Sequence, residues 1–214
     1  MKKILFQGDS ITDCCRPRDD DRYLGSGYAE FVCGEIQCKY GREYELVNRG
    51  ISGNRITDLF ARIKSDIINL KPDYVSILIG VNDVWHEIDC HNGVSTVNFE
   101  KIYSMLIENL LSELPDIKIM IMEPFVLKYT ATNSTEEEPQ RWDIFYNDVL
   151  EKAAAAKRIS EKYALPFIPL QEKLDEAVKR IGIESVTIDG VHPAPGGHKL
   201  IAEEWLDCFE KNFL

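Results

Sequence analysis

A chain of 214 residues, 44% hydrophobic and 29% charged, holds enough apolar material for one well-buried core and reads as a single domain over residues 1–214. Its net charge of −11 opposes nucleic acid and anionic lipid surfaces, and it favours a neutral substrate over a polyanion. No apolar run approaches a bilayer span, and the three apolar residues after Met1-Lys2-Lys3 are too few for a secretory leader. The expectation is a soluble cytoplasmic protein with no membrane partner.

Segments of strand and helix character alternate along the chain. Ile4–Gln7 is a short apolar strand broken by Gly8-Asp9-Ser10. Tyr28–Tyr40 has a helical pattern, and Tyr44–Asn48 reads as the second strand. Ile56, Leu59, Phe60, Ile63, Ile67 and Leu70 follow helical spacing, which predicts one helix over Ile56–Leu70, closed by Pro72. Tyr74–Ile79 is nearly without polar interruption, as a strand covered on both faces should be. Phe99–Leu114 is a helix ended by Pro115, and Ile117–Met122 the fourth strand. Trp142–Tyr163 is a long helix with an alanine run. Phe167-Ile168, between prolines, is a fifth strand near an edge. Leu170–Ile181 and Leu200–Phe213 are the last helices. Such alternation implies an α/β protein: a parallel sheet with helices on both faces. Two polar stretches, Cys15–Gly27 and Thr130–Gln140, follow strands and are expected to wall a cleft at the carboxyl edge of the sheet.

The six cysteines form no CxxC pair and no zinc-spaced cluster, so they read as free thiols in a reducing compartment, with no metal expected.

Four segments at strand exits or in the last loop carry residues of catalytic type. They are Gly8-Asp9-Ser10-Ile11-Thr12, Asn48-Arg49-Gly50-Ile51-Ser52-Gly53-Asn54, Gly80-Val81-Asn82-Asp83 and Asp189-Gly190-Val191-His192-Pro193. Together they suit acyl transfer. The Ser10 hydroxyl needs a base, and His192 is the candidate. Asp189, three residues earlier, is placed to orient the imidazole. The tetrahedral oxyanion needs fixed donors, and the Ser10 N–H, the Gly53 N–H and the Asn82 carboxamide are the candidates. Each has a structural alternative: Ser10 as a helix N-cap, His192 as a turn residue, Asn82-Asp83 as a cap, Gly50 and Gly53 as turn glycines. Their joint occurrence at successive strand exits favours the catalytic reading.

These segments resemble the four sequence blocks of the GDSL, or SGNH, hydrolases, and the order and spacing span nearly the whole chain. The resemblance assigns Ser10, Gly53, Asn82 and His192 to the family's four named residues and Asp189 to its triad acid. It implies a flavodoxin-like three-layer α/β/α sandwich with a central five-stranded parallel sheet, and no metal or cofactor. GDSITD, NRGISGN, IGVNDVWHE and DGVHP are further similar to intracellular acetylxylan esterases and related carbohydrate O-acetylesterases. Cys15 stands where many of those relatives have glycine.

The expected function is therefore hydrolysis of short-chain acetyl esters on sugars or xylo-oligosaccharides. The expected partner is a small-molecule ester, and a homo-oligomer is left open. The rivals are a lysophospholipase or thioesterase acting on long acyl chains, and a non-catalytic flavodoxin-like module that binds a sugar or nucleotide. Polar residues in the two long loops favour a small acyl group. Asp9, Arg55 and Trp85 are candidate substrate contacts. Arg55 has a salt bridge to Asp58 as its alternative, and Trp85-His86, which could line the cleft, has packing beneath the rim. His198 and His91 read as structural or uninformative.

Overall fold

The computed structural model describes all residues from Met1 to Leu214. In chain order it contains β1 (Lys2–Gly8), α1 (Ser10–Asp13), α2 (Tyr28–Tyr40), β2 (Tyr44–Asn48), α3 (Ile56–Ala61), α4 (Ile63–Asp66), a short 3-10 turn (Ile68–Leu70) and β3 (Tyr74–Leu78). There follow α5 (Val81–Cys90), α6 (Thr96–Glu113), β4 (Lys118–Met122), α7 (Arg141–Lys162), β5 (Phe167–Ile168), α8 (Gln171–Ile181), α9 (Ile183–Val186) and α10 (Pro195–Phe213). The five strands pair in the order β2-β1-β3-β4-β5, all parallel. This is the expected three-layer α/β fold.

Period-two alternation divides the strand side chains between two apolar layers. Ile4 and Phe6 of β1 join Leu78, Met120 and Met122 on one face, covered by α2, α8 and α10 through Tyr28, Val32, Leu174, Ile201 and Trp205. Leu5 of β1 joins Val75, Ile77, Ile119 and Ile121 on the other, covered by α3, α6 and α7 through Leu59, Tyr103, Leu106, Leu110 and Ile159. A parallel sheet buried on both faces needs apolar side chains at successive positions, which is why these strands read as unbroken apolar runs.

Two departures from the sequence reading matter for function. The helix expected over Ile56–Leu70 is broken at Arg62, which leaves the helical region at φ −108° and ψ 11°. The Arg62 guanidinium donates to the carbonyls of Arg49 (2.8 Å) and Gly8 (3.1 Å), to Asn54 Oδ1 (2.7 Å) and to Asp66. One side chain thus ties together the exits of β1 and β2. The second departure is α5, which follows β3 where no helix was expected. Its signal was present, since Val81, Val84, Trp85 and Ile88 recur at helical spacing. The last helix also starts earlier than expected, with Pro195 in its first turn.

The sheet order reverses direction between β1 and β3. A crevice opens at such a point outside the carboxyl ends of the strands. Ser10 follows β1 and Asn82 follows β3, so the topology brings residues 72 positions apart to one place.

Candidate active site

Ser10 is the first residue of α1, directly after β1. Asp9 caps this short helix: its Oδ1 accepts the Ile11 N–H at 3.0 Å. The N–H groups of a first helical turn lack intrahelical acceptors, so the Ser10 N–H is available at the cleft. The turn leaving β2 is fastened to the same helix. Asp13 Oδ2 accepts from the Ser52 N–H (2.9 Å), the Ser52 hydroxyl (3.0 Å) and Arg18 (2.6 Å). Arg16 Nε and Arg18 Nη1 both donate to the Gly50 carbonyl, at 3.0 and 2.9 Å. Gly50 itself lies so close to α1 that a Cβ there would stand 2.3 Å from the Asp13 nitrogen. Gly53 has a φ of +80°, a conformation that suits glycine, and the space beside it is open up to His86.

Asn82 lies in the first turn of α5 and is buried. One N–H of its carboxamide donates to the Asn54 carbonyl at 3.1 Å, which holds the Gly53-Asn54 turn beneath α5. The neighbouring Asp83 turns away from the cleft, and both its carboxylate oxygens accept the Ile56 N–H at the start of α3.

His192 arrives from the loop before α10. Its Nε2 is 2.8 Å from Ser10 Oγ, and its Nδ1 is 2.6 Å from Asp189 Oδ2. A carboxylate on Nδ1 assigns the ring proton to that nitrogen and leaves Nε2 as an acceptor for the serine hydroxyl. Asp189 is held by its own turn, because Oδ1 accepts the N–H groups of Val191 and His192, both at 2.8 Å. The Ala131 N–H donates to the Asp189 carbonyl and the Leu127 N–H to the Gly190 carbonyl, each at 2.8 Å. Burial works to raise the Asp189 carboxyl, but hydrogen bonds from the His192 ring and the loop N–H groups outweigh it and hold the pKa below 3.8. The Asp189 hydrogen bond raises His192 above its ordinary 6.5, against the opposing effect of burial.

These groups share a cleft of about 380 Å³, lined by Ser10, Ser52, Gly53, Asn82 and His192, with Trp85, His86, Asp89 and Cys90 of α5. The Trp85 ring lies 5.8 Å from the His192 ring and 5.9 Å from Phe145. Trp85 is thus a wall of the cleft.

Two candidate substrate contacts lie elsewhere. Asp9 is only 1% exposed and does not line the cleft; it caps α1 from below, and burial pushes its carboxyl up to about 7. Arg55 is drawn away from the cleft by Asp58 (3.0 Å) and by the Asn92 carbonyl (2.6 Å). The long loops also differ from expectation, since neither contributes a lining residue. The segment after β1 braces the Gly50 turn from outside, and α5 forms the wall instead. Trp85 and His86 line the cleft as expected, whereas Asp89 was missed because α5 was missed; the helical interval from Trp85 to Asp89 was the available signal.

All six cysteines are free. No group of three His, Cys, Asp or Glu side chains converges as metal ligands would. No helix is long and apolar enough to cross a membrane.

The α/β layers and the strand-exit cleft are those of a carboxylic ester hydrolase, and the comparisons with known proteins agree. Residues 6–200 match the GDSL-like lipase/acylhydrolase family, and the chain belongs to that family. It is 34% identical over 212 residues to an acetylxylan esterase of Geobacillus stearothermophilus, covering 96% of this chain and 92% of that protein. A crystal structure of a catalytic mutant of an acetylxylan esterase from Geobacillus stearothermophilus superposes with a TM-score of 0.82 at 32% identity, covering 97% of this chain and 93% of the other. A GDSL-like protein from Parabacteroides merdae superposes with a TM-score of 0.89 at 34% identity, covering 98% and 95%.

Proposed function

We propose that residues 1–214 act as one SGNH hydrolase domain that removes acetyl groups from sugars or short xylo-oligosaccharides by way of a Ser10 acyl-enzyme. The observation that carries this reading is the unbroken path from Ser10 Oγ to His192 Nε2 (2.8 Å) and from His192 Nδ1 to Asp189 Oδ2 (2.6 Å).

In the first step His192 Nε2 takes the Ser10 proton as Oγ attacks the ester carbonyl carbon. The carbonyl electron pair moves to oxygen, where the N–H groups of Ser10 and Gly53 and the free N–H of Asn82 Nδ2 receive it. Asp189 stabilises the imidazolium without taking its proton. The tetrahedral intermediate then collapses: the bond to the sugar oxygen breaks, and His192 returns the proton to that oxygen. In the second half water gives its proton to His192 Nε2 and attacks the acyl carbon. Acetate leaves Ser10, which regains its proton. Donors held by α1, the Gly53 turn and α5 need no reorganisation when charge develops, which is why such sites lower the barrier.

Support for the acetyl-sugar assignment comes from two sources. The relative at 34% identity is an acetylxylan esterase of Geobacillus stearothermophilus, and an acetylxylan esterase from that organism has been solved as catalytic mutants in which an aspartate, a serine and a histidine are each replaced. The replaced aspartate and histidine stand three positions apart, as Asp189 and His192 do. The cleft also suits a small acyl group beside a hydroxylated leaving group, since Trp85 offers an aromatic face and His86 and Asp89 offer polar groups.

The test is a series of p-nitrophenyl esters of increasing chain length, run beside acetylated xylose and xylobiose, with a serine-directed organophosphonate as a trap. Acetate esters should be preferred, and the label should fall on Ser10. A preference for long acyl chains would favour the lysophospholipase or thioesterase reading, and absence of both turnover and label would favour a binding module.

A further inference from the structure

The wall of the cleft is held in place by an ion pair with a second hollow behind it. Trp85 Nε1–H donates to Asp89 Oδ2 at 2.7 Å, one helical turn further along α5. The other oxygen of Asp89 accepts from Arg141 Nη1 at 2.8 Å. Arg141 begins α7, and it is fixed on two further sides: Nη1 also donates to Glu138 at 3.0 Å, and Nε to the Ala131 carbonyl at 2.9 Å. Its side chain is only 10% exposed. Every one of these acceptors orients the guanidinium, and a fork so placed is not one that a lysine can reproduce in full.

On the far side of Arg141 lies a hollow of about 410 Å³ whose apolar floor is Ile88, Pro139 and Ile144. Asp89 lines the cleft and Arg141 lines the hollow, so the 2.8 Å contact between them is the partition. The hollow is as large as the cleft, and Ile88, Pro139 and Ile144 form an apolar strip in it among Glu87, His91, Glu138, Gln140 and Arg141; the ion pair stands between that strip and the cleft. An alkyl chain extending from the acyl carbon along Trp85 meets the carboxylate and the guanidinium, and desolvating a charged pair to pass it is costly.

We propose that the Asp89–Arg141 ion pair sets the upper size of the ester this cleft accepts, by holding Trp85 in place and separating the cleft from the apolar strip of Ile88, Pro139 and Ile144 in the adjoining hollow. Arg141 is a specificity-determining residue that touches neither the nucleophile nor its base. Removing its side chain frees Asp89, releases the Trp85 indole and joins the two hollows, so that an acyl chain gains Ile88, Pro139 and Ile144 as a floor. The inference rests on the cleft being the esterase site.

The experiment compares kcat/KM for p-nitrophenyl acetate, butyrate and octanoate in the wild type and in Arg141→Ala, Arg141→Lys and Asp89→Asn. In Arg141→Ala the octanoate-to-acetate ratio should rise about tenfold or more, a range that apolar-pocket contacts can supply. Arg141→Lys keeps a charge for Asp89 but cannot hold all three acceptors, so its ratio should rise by less than that of Arg141→Ala. Asp89→Asn keeps an acceptor for the indole but loses the ion pair, and its ratio should rise by less; it decides the matter if Arg141→Ala does not fold. Circular dichroism melts identify the folded variants. A ratio unchanged in a folded Arg141→Ala, or a proportional fall for all three esters, would overturn the proposal and leave Arg141 a brace of α7. Failure of the esterase reading itself would look different, with turnover of every ester surviving Ser10→Ala in the otherwise wild-type chain.

Discussion

Replacing Asn82 by alanine separates two roles that its carboxamide is placed to fill at once. One N–H of Nδ2 is spent on the Asn54 carbonyl at 3.1 Å, which braces the Gly53 turn. The side chain lines the cleft and leaves its second N–H for the oxyanion. Loss of the brace should cost about 1 kcal/mol of stability. For a chain of this length that is a fall of roughly 2–4 °C in Tm. Loss of the oxyanion donor should cost about 3 kcal/mol of transition-state stabilisation, or roughly 10²-fold in kcat. KM should change little, because the donor meets charge that exists only in the transition state. Both numbers come from one sample: steady-state kinetics on p-nitrophenyl acetate and a thermal melt. A kcat within about tenfold of the wild type, with the Tm lowered, would refute the reasoning and reduce Asn82 to a brace.

Five further outcomes are expected. Ser10→Ala should keep the fold and lose activity by about four orders of magnitude or more, as removal of a serine nucleophile does; retention of a tenth of the activity would exclude Ser10. His192 must be neutral to act and its pKa is raised above 6.5, so kcat/KM should fall as the pH drops through a midpoint above that value. Asp189→Asn removes the carboxylate that favours the imidazolium, so the midpoint should move to lower pH, and a pH–rate profile that does not shift would count against the pairing. Burial raises Asp83 from 3.8 to about 8, so the folded state binds its proton more tightly than the unfolded state does, and this group should make stability fall as the pH rises between those values. Asp83→Asn should flatten that slope in melts taken across the range, and an unaltered slope would contradict it. Arg55→Ala should lower stability by about 1 kcal/mol through loss of Asp58 and the Asn92 carbonyl while leaving KM unchanged; a raised KM with an unchanged Tm would return Arg55 to the cleft.

The apolar runs and the breaks that end them are local properties, and they were legible. Tyr28–Tyr40 and Tyr44–Asn48 have the bounds that their patterns predict, because helical and strand periodicity there is uninterrupted and glycine or a charged turn closes each segment. Placing Ser10, Gly53 and Asn82 beside strand exits also needed only the chain order, since right-handed crossovers in a parallel sheet put successive exits on one edge; His192 lies in the loop between α9 and α10, and only the tertiary structure brings it to Ser10.

What only the tertiary structure decided involves side chains whose partners are remote in the chain. Arg62 breaks an otherwise regular helical pattern because its guanidinium reaches carbonyls at Gly8 and Arg49. Asp9 is buried beneath α1 and Arg55 is drawn to Asp58 and Asn92, although both stand beside site residues in sequence. Sequence neighbours of a cleft residue point wherever the local backbone turns them, and periodicity says nothing of that direction in an irregular turn. Arg141 carries no motif, and 52 residues separate it from Asp89. Its place behind the cleft wall follows from how α7 packs across α5, a consequence of the shared core around Phe145 and Trp85 that no local pattern encodes.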